Sequence, residues 1–114
     1  MRTIVAGSRS IKDSQSVFDV LDGHTDWPIT EVVCGCAQGP DIDGAVWAGK
    51  HGIPVVHFPA DWITYGRAAG PIRNKVMAQH AEALIAIWDG KSRGTEDMIE
   101  QAEIRKLKVH VAIY

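Results

Sequence analysis

Short apolar runs alternate along this chain with longer stretches in which apolar residues recur every three or four positions. That alternation is the signature of strands buried in a parallel sheet and of helices packed across it. Thr3–Ala6 reads as a first strand that breaks at Gly7, and Ser14–Leu21 as a helix with Val17, Val20 and Leu21 at helical spacing. Glu31–Cys34 is predicted as the second strand, ended by Gly35, and Asp41–His51 as a helix stopped by Gly52 ahead of Pro54. Pro54–Phe58 reads as the third strand. Pro59–Gly66, with a proline, a glycine and two aromatics, reads as a loop over the sheet edge. Pro71–Ala81 is helical, with Ile72, Val76 and Met77 as its apolar stripe and Pro71 tolerated in the first turn. Ala83–Trp88 is almost wholly apolar, as a central strand covered on both faces must be. Thr95–Leu107 closes the helical set, with Thr95 as its N-cap and Met98, Ile99 and Ala102 inward, and Lys108–Ile113 is the last strand.

Strands separated by helices define an α/β fold, a Rossmann-like three-layer sandwich around a five-stranded parallel sheet, here one domain spanning residues 1–114. Crossovers between parallel strands are right-handed almost without exception, so every strand-to-helix loop falls on one edge of the sheet. Ligands of open α/β sheets bind at that edge.

Composition adds boundaries. The 114 residues are 46% hydrophobic and 23% charged, as in ordinary globular domains, and the net charge of −2 offers no broad cationic field for duplex nucleic acid. Any anion site must be local. The two cysteines, Cys34 and Cys36, cannot complete a four-ligand zinc site, and the five histidines show no paired ligand spacing, so no metal and no cofactor is expected. Cys34 reads as a small buried residue and Cys36 as part of a tight loop, both suited to a reducing compartment. No apolar run approaches the roughly 20 residues that span a bilayer, and no leader pattern precedes the first strand, so a cytoplasmic chain without membrane contact is expected.

The loops at the active edge carry the chemistry. They are Gly7-Ser8-Arg9-Ser10, Gly35–Asp41, Ala60–Gly70 and Asp89–Thr95, in which Gly35 and Gly39, and Gly90 and Gly94, recur at a spacing of four. Glycine lets a phosphate approach the backbone closely, and the helix that follows each loop presents free amides and the positive end of its dipole. Neither GxGxxG after the first strand nor GxxxxGK[ST] is present, which counts against dehydrogenase and ATPase readings. Asp41 reads either as the cap of its helix or as a carboxylate for ribose hydroxyls, and Thr95 as a cap, a phosphate ligand, or both. Arg73 stands at the front of the predicted Pro71–Ala81 helix, where a cation opposes the dipole, and so points to an anion. Arg9, Lys91 and Arg93 are loop cations that together could neutralise a diphosphate. Trp62 reads either as a platform for a base or as a plug for the core.

The segments AGSR, CGCAQGPDIDGAVWA, GRAAGPIRNKVM and WDGKSRGTEDM, in that order, resemble the small members of the SLOG superfamily, and more narrowly its YspA/cpYpsA-related group. The resemblance implies a Rossmann-like nucleotide-binding domain whose relatives include phosphoribohydrolases, sensors of ADP-ribose-type ligands and a DNA-binding recombination mediator. Its motifs match at Gly35, Gly39, Arg73, Asn74, Gly94 and Thr95; together with the loops of the same edge, the expected ligand contacts are Gly7, Ser8, Arg9, Gly35, Ala37, Gln38, Gly39, Asp41, Trp62, Gly70, Arg73, Asn74, Gly90, Lys91, Gly94 and Thr95. The hydrolase relatives carry a glutamate three residues after the Gly-Thr of this last loop, and here that place holds Met98. A thioether can neither activate water nor stabilise an oxocarbenium-like transition state.

The favoured reading is a sensor or sequestering module for a nucleotide-type small molecule. A glycosidase of the phosphoribohydrolase type, using Asp41 or Asp97 as its acid, is the first alternative. Single-stranded nucleic-acid binding along Arg9, Arg67, Arg73, Lys75, Lys91 and Arg93 is the second, and the acidic overall balance disfavours it. The resemblance also implies a homo-oligomer.

Overall fold

The computed structural model describes residues 1–114. Its elements, in chain order, are β1 (Arg2–Gly7), α1 (Ser14–Asp22), β2 (Glu31–Cys34), α2 (Pro40–Lys50), β3 (Val55–His57), α3 (Trp62–Tyr65), a 3-10 turn (Gly66–Ala68), α4 (Ala69–His80), β4 (Ala83–Trp88), α5 (Arg93–Ile104) and β5 (Lys108–Ile113). All five strands are parallel, in the order β3-β2-β1-β4-β5. The fold is the Rossmann-like α/β sandwich that the periodicity predicts.

The period of two along a strand sorts side chains between two cores. Ile4 and Ala6 of β1 with Leu84 and Ala86 of β4 pack on Met77 and Ala78 of α4 and on Met98, Ile99 and Ala102 of α5. Val5 of β1 with Ala83, Ile85 and Ile87 of β4 packs on Val17 and Leu21 of α1 and on Trp47 and Ala48 of α2. Removing each branched aliphatic side chain from water contributes about 1.5–3 kcal/mol, so both layers of helices are held to the sheet by dispersion and desolvation. No helix is long and apolar enough to cross a membrane.

Several local expectations are corrected. Gly39, at φ 90, caps α2, Pro40 takes its first position, and Asp41 lies inside the first turn as a buried residue rather than as the cap. Pro59–Gly66 is not plain loop: the Asp61 carboxylate accepts the Thr64 amide at 3.1 Å and nucleates α3. α4 starts at Ala69, before Pro71, and buries Ala69, Gly70, Asn74, Met77 and Ala78. Of the expected stripe only Met77 is inside; Ile72 and Val76 remain 40% and 41% exposed, because the inner face is set by Asn74, a buried polar residue. α5 is capped by Ser92, whose Oγ accepts the Thr95 amide at 3.5 Å, so Thr95 is not the cap but the third helical residue.

One buried polar pair ties the α1 side of the sheet to β1. The Trp27 indole N–H donates to Thr3 Oγ1 at 3.0 Å, and both residues are buried. Thr3→Val, nearly isosteric, would orphan the indole donor, which costs about 1–3 kcal/mol. The expected fall in melting temperature is roughly 4 °C or more, whereas Thr3→Ser keeps the bond. A Thr3→Val variant melting with the wild type would refute this.

Candidate functional site

The chain runs outward from β1 through β2 to β3, then returns across the sheet to β4 on the other side of β1. The loops after β1 and β4 therefore diverge over opposite faces and leave a crevice between them. Their bases are knitted together. The Ser8 amide donates to Ile87 O at 3.0 Å, and Ser8 Oγ accepts the Asp89 amide at 3.0 Å. Ser10 Oγ donates to Asp89 Oδ2 at 2.7 Å, while Asp89 Oδ1 accepts the Lys91 and Ser92 amides, each at 2.8 Å. The Ser10 hydroxyl first, then the Ser92 and Lys91 amides, hold the Asp89 carboxyl well below the ordinary carboxylate range. Trp88 Nε1 donates to Ser92 O at 3.0 Å and completes the frame that aims the first turn of α5.

A second knot lies beneath the loop after β2. The Asp41 carboxylate accepts the Gly7 amide at 3.2 Å and lies near the Arg73 guanidinium. Arg73 Nη1 donates to Gly35 O, and its Nε donates to Asn74 Oδ1 at 3.0 Å. A Cβ on Gly35 would stand 2.7 Å from Arg73 Nη1 and 2.8 Å from Asp41 Oδ2, so only glycine allows this approach. Arg73 therefore has structural work and is the fifth residue of α4, not a first-turn cation set against the dipole. Of the five N–H donors on a guanidinium, two are used here and the rest stay free for a ligand. Asn74 reaches onward: its Nδ2 donates to Asp97 Oδ2 at 2.9 Å and to Gly94 O at 3.3 Å, joining α4 to the start of α5.

Above these knots opens a cleft of about 520 Å³. Gly7, Arg9, Ala37, Asp41 and Trp62 line it, with Gly70, Arg73, Asn74, Gly94 and Thr95. The other six predicted residues do not. Ser8 is buried in the frame below, Gly35 offers its carbonyl to Arg73, and Gly39 caps α2. Gln38, Gly90 and Lys91 are exposed and stand clear of the cleft. Ser10, Asp89 and Ser92, in loops expected at this edge but not singled out as ligand contacts, also line it. The signal was an aspartate followed two and three residues later by amides it could accept, the Asx turn of Asp89–Ser92. Met77 and Met98, both 1% exposed, form an apolar floor.

The cleft is electrostatically distinct from the chain. Arg9, Arg67, Arg73 and Arg93 face three carboxylates, Asp41, Asp89 and Asp97, an excess of one positive charge in a protein of net charge −2. None of the four is ion-paired; the ion pairs are Arg2–Glu82, His51–Asp22 and His80–Glu31, all elsewhere. The N-termini of α2, α4 and α5 contribute lining residues, and the first amides of α5, at Arg93 and Gly94, have no intrahelical acceptor.

Burial pushes the Asp41 carboxyl up from 3.8 to about 6, against the pull of Arg73, the Gly7 and Ala37 amides and Arg9. The folded state thus holds an extra proton between these values, and Asp41 favours folding most at low pH. That contribution is lost as pH rises through 6. Asp41→Asn, which keeps an oxygen for the Gly7 amide, should gain stability relative to wild type between pH 4 and pH 7.5, by about 3 kcal/mol at most. Denaturant titrations of both proteins at the two pH values test it; a pH-independent difference would contradict the burial argument.

Comparisons with known proteins bear on the family and the fold. The model of the YspA, cpYpsA-related SLOG family matches residues 1–65. The Gene 61 protein of Mycobacterium phage D29 is 33% identical over 111 residues, covering 90% of this chain and 88% of its own. The X-ray structure of DNA processing protein A (DprA) from Streptococcus pneumoniae shares the fold, with a TM-score of 0.76 at 19% identity. That match covers 96% of this chain and 49% of DprA, so the chain spans about half the length of that protein.

Proposed function

The chain belongs to the YspA, cpYpsA-related SLOG family, and on that premise we propose that it binds a nucleotide or nucleotide-derived small molecule, ADP-ribose-like or a nucleoside phosphate, as a sensor or sequestering module. The observation that carries this reading is the convergence of three helix N-termini and four arginines without ion pairs on one cleft at the reversal of strand order. Phosphate oxygens take the free Arg93 and Gly94 amides, with the Thr95 hydroxyl beside them, and the arginines neutralise the charge. The Asp97 oxygen not used by Asn74 accepts a ribose hydroxyl. Trp62, 52% exposed at the rim, stacks on the base.

The floor argues for holding the ligand intact. Met98 is buried where the hydrolase relatives place a glutamate, and Met77 lies beside it in the same core. Asp41 and Asp97 each keep one oxygen in the frame, on the Gly7 amide and on Asn74, and neither stands at the place of the missing glutamate. A nucleic-acid reading draws on the DNA processing protein that shares the fold and on exposed Arg9, Arg67 and Arg93 beside Trp62. A cleft of about 520 Å³ and a net charge of −2 favour a small ligand. A homo-oligomer belongs to the same reading: Phe58, Tyr65, Ile72 and Val76 line an apolar groove of about 280 Å³ on the outer side of α4.

Thermal shifts with AMP, ADP, ATP, NAD, ADP-ribose, cyclic dinucleotides and short single-stranded DNA test the proposal. A ligand at about 100 times its Kd adds about 2.7 kcal/mol, which raises the melting temperature of a domain this size by on the order of 10 °C. Arg67→Ala/Arg93→Ala, both surface changes, should leave the free protein's melting point in place and weaken binding about 10- to 100-fold. The recovered ligand should be intact by mass spectrometry. A cleaved ligand would move the reading to a glycosidase. A shift only with DNA, collapsing steeply with salt, would move it to nucleic acid.

A further inference from the structure

Beside the cleft, at the ends of β2 and β3, three soft donor atoms come together. Cys34 closes β2, and the parallel register sets it opposite His57, the last residue of β3. After Gly35 the backbone of Cys36 turns left-handed, φ 65, a conformation disfavoured for any residue with a Cβ. This turn folds Cys36 back over the strand end. Its amide donates to Cys34 Sγ at 3.3 Å, its Sγ lies 3.7 Å from Cys34 O, and that same Sγ is 3.4 Å from His57 Nδ1. The two sulfurs and a ring nitrogen of His57 all lie within 4.8 Å of one another.

We infer that Cys34, Cys36 and His57 form a mononuclear site for a thiophilic divalent cation of the Zn²⁺ type, with a fourth position open to solvent. Two thiolates and an imidazole are a borderline-soft donor set, which selects zinc and its congeners over magnesium or calcium, whose ligands are oxygens. Tetrahedral bonds of about 2.3 Å to sulfur and 2.0–2.1 Å to nitrogen put donors about 3.6–3.8 Å apart. The Cys36–His57 pair is already that close, and side-chain rotation closes the rest. Burial is graded across the site: Cys34 is buried, Cys36 half-buried and His57 exposed, which provides an entry path and leaves the outer position free. No fourth cysteine or histidine joins the group, so a closed structural site is excluded and an open one is what the geometry offers. Binding deprotonates both thiols and releases their protons to solvent, while the ion takes the two thiolates and the neutral imidazole.

The position of the site matters to the cleft. Gly35 lies between the two sulfur ligands, and its carbonyl holds the Arg73 guanidinium. Cys34 Sγ also lies 3.4 Å from Asp41 O, at the start of α2. An ion here braces the peptide that orients Arg73.

The test uses the full chain, fully reduced, with both thiols counted by a colorimetric reagent, and Co²⁺ as spectroscopic probe. One Co²⁺ per chain should bind with a near-ultraviolet thiolate-to-cobalt charge-transfer band and visible bands of tetrahedral intensity, and Zn²⁺ should displace it. Cys36→Ser should lower affinity at least about tenfold and remove about half of the charge-transfer intensity. His57→Gln should weaken binding and keep that intensity. Both positions sit at the rim, so folding is checked simply by the melting temperature. A reduced protein without a charge-transfer band overturns the inference, and so does cobalt binding that neither substitution alters.

Discussion

β1 is hydrogen-bonded in parallel to β2 on one edge and to β4 on the other, and a parallel neighbour can be reached only by a crossover that returns over a face of the sheet. With the hand of the crossover fixed, the path from β1 through α1 to β2 covers one face, and the path from β3 through α4 to β4 covers the other. The loop after β1 and the loop after β4 must then part company at the same edge. The cleft is thus a consequence of strand order, and Ser8, Ser10 and Asp89 are what keep its two halves in register.

That edge has a cost, because it gathers like partial charges. Three helix N-termini and four arginines face one space, and the local repulsion is offset by carboxylates that cannot simply be salt-bridged away. Asp41 is the clearest case. It is buried 4% exposed and ionises reluctantly, yet it sits where the Gly7 amide and the Arg73 guanidinium both need an anion. Asn74, a neutral residue, carries the linkage from Arg73 onward to Asp97 and Gly94, so α4 is tied to α5 by hydrogen bonds rather than ion pairs. A frame of that kind holds its donors fixed while leaving Arg9, Arg67 and Arg93 free to face a ligand.

The strands were legible from the sequence to within a residue, and β2, β4 and β5 to the residue, because continuous apolar runs and period-two alternation are dictated by burial. Helix starts, that of α1 at Ser14 apart, were less so. Ser92 and Gly39 take the caps that Thr95 and Asp41 were read to hold, since several capping residues compete within one turn and tertiary contacts decide among them. The exposed Ile72 and Val76 show the same limit: helical spacing identifies a stripe but not which way it faces. Among predicted ligand-facing residues, the structure brings ten to the cleft and leaves Ser8, Gly35, Gln38, Gly39, Gly90 and Lys91 outside it. Glycine loops locate an edge of the sheet, whereas which loop atoms face inward depends on turns such as that of Asp89, fixed only once its donors are placed. His57 beside Cys34 follows from strand register, which sequence spacing does not encode.

The loop between β2 and α2 therefore serves two neighbourhoods at once. On its inner side Gly35 and Ala37 meet Arg73 and Asp41; on its outer side Cys34 and Cys36 meet His57. Seven residues, Cys34 to Pro40, leave little freedom for one side to move without the other. The left-handed turn at Cys36 makes the point physically: relaxing it would swing Sγ away from His57 and alter the peptide whose carbonyl holds Arg73. A residue with a Cβ persists in such a conformation only when its surroundings over-determine it. Here the surroundings are the Cys34 sulfur and the His57 ring on one side and the arginine on the other. Whatever occupies the cleft thus meets an arginine whose orientation is set from the far side of the same loop.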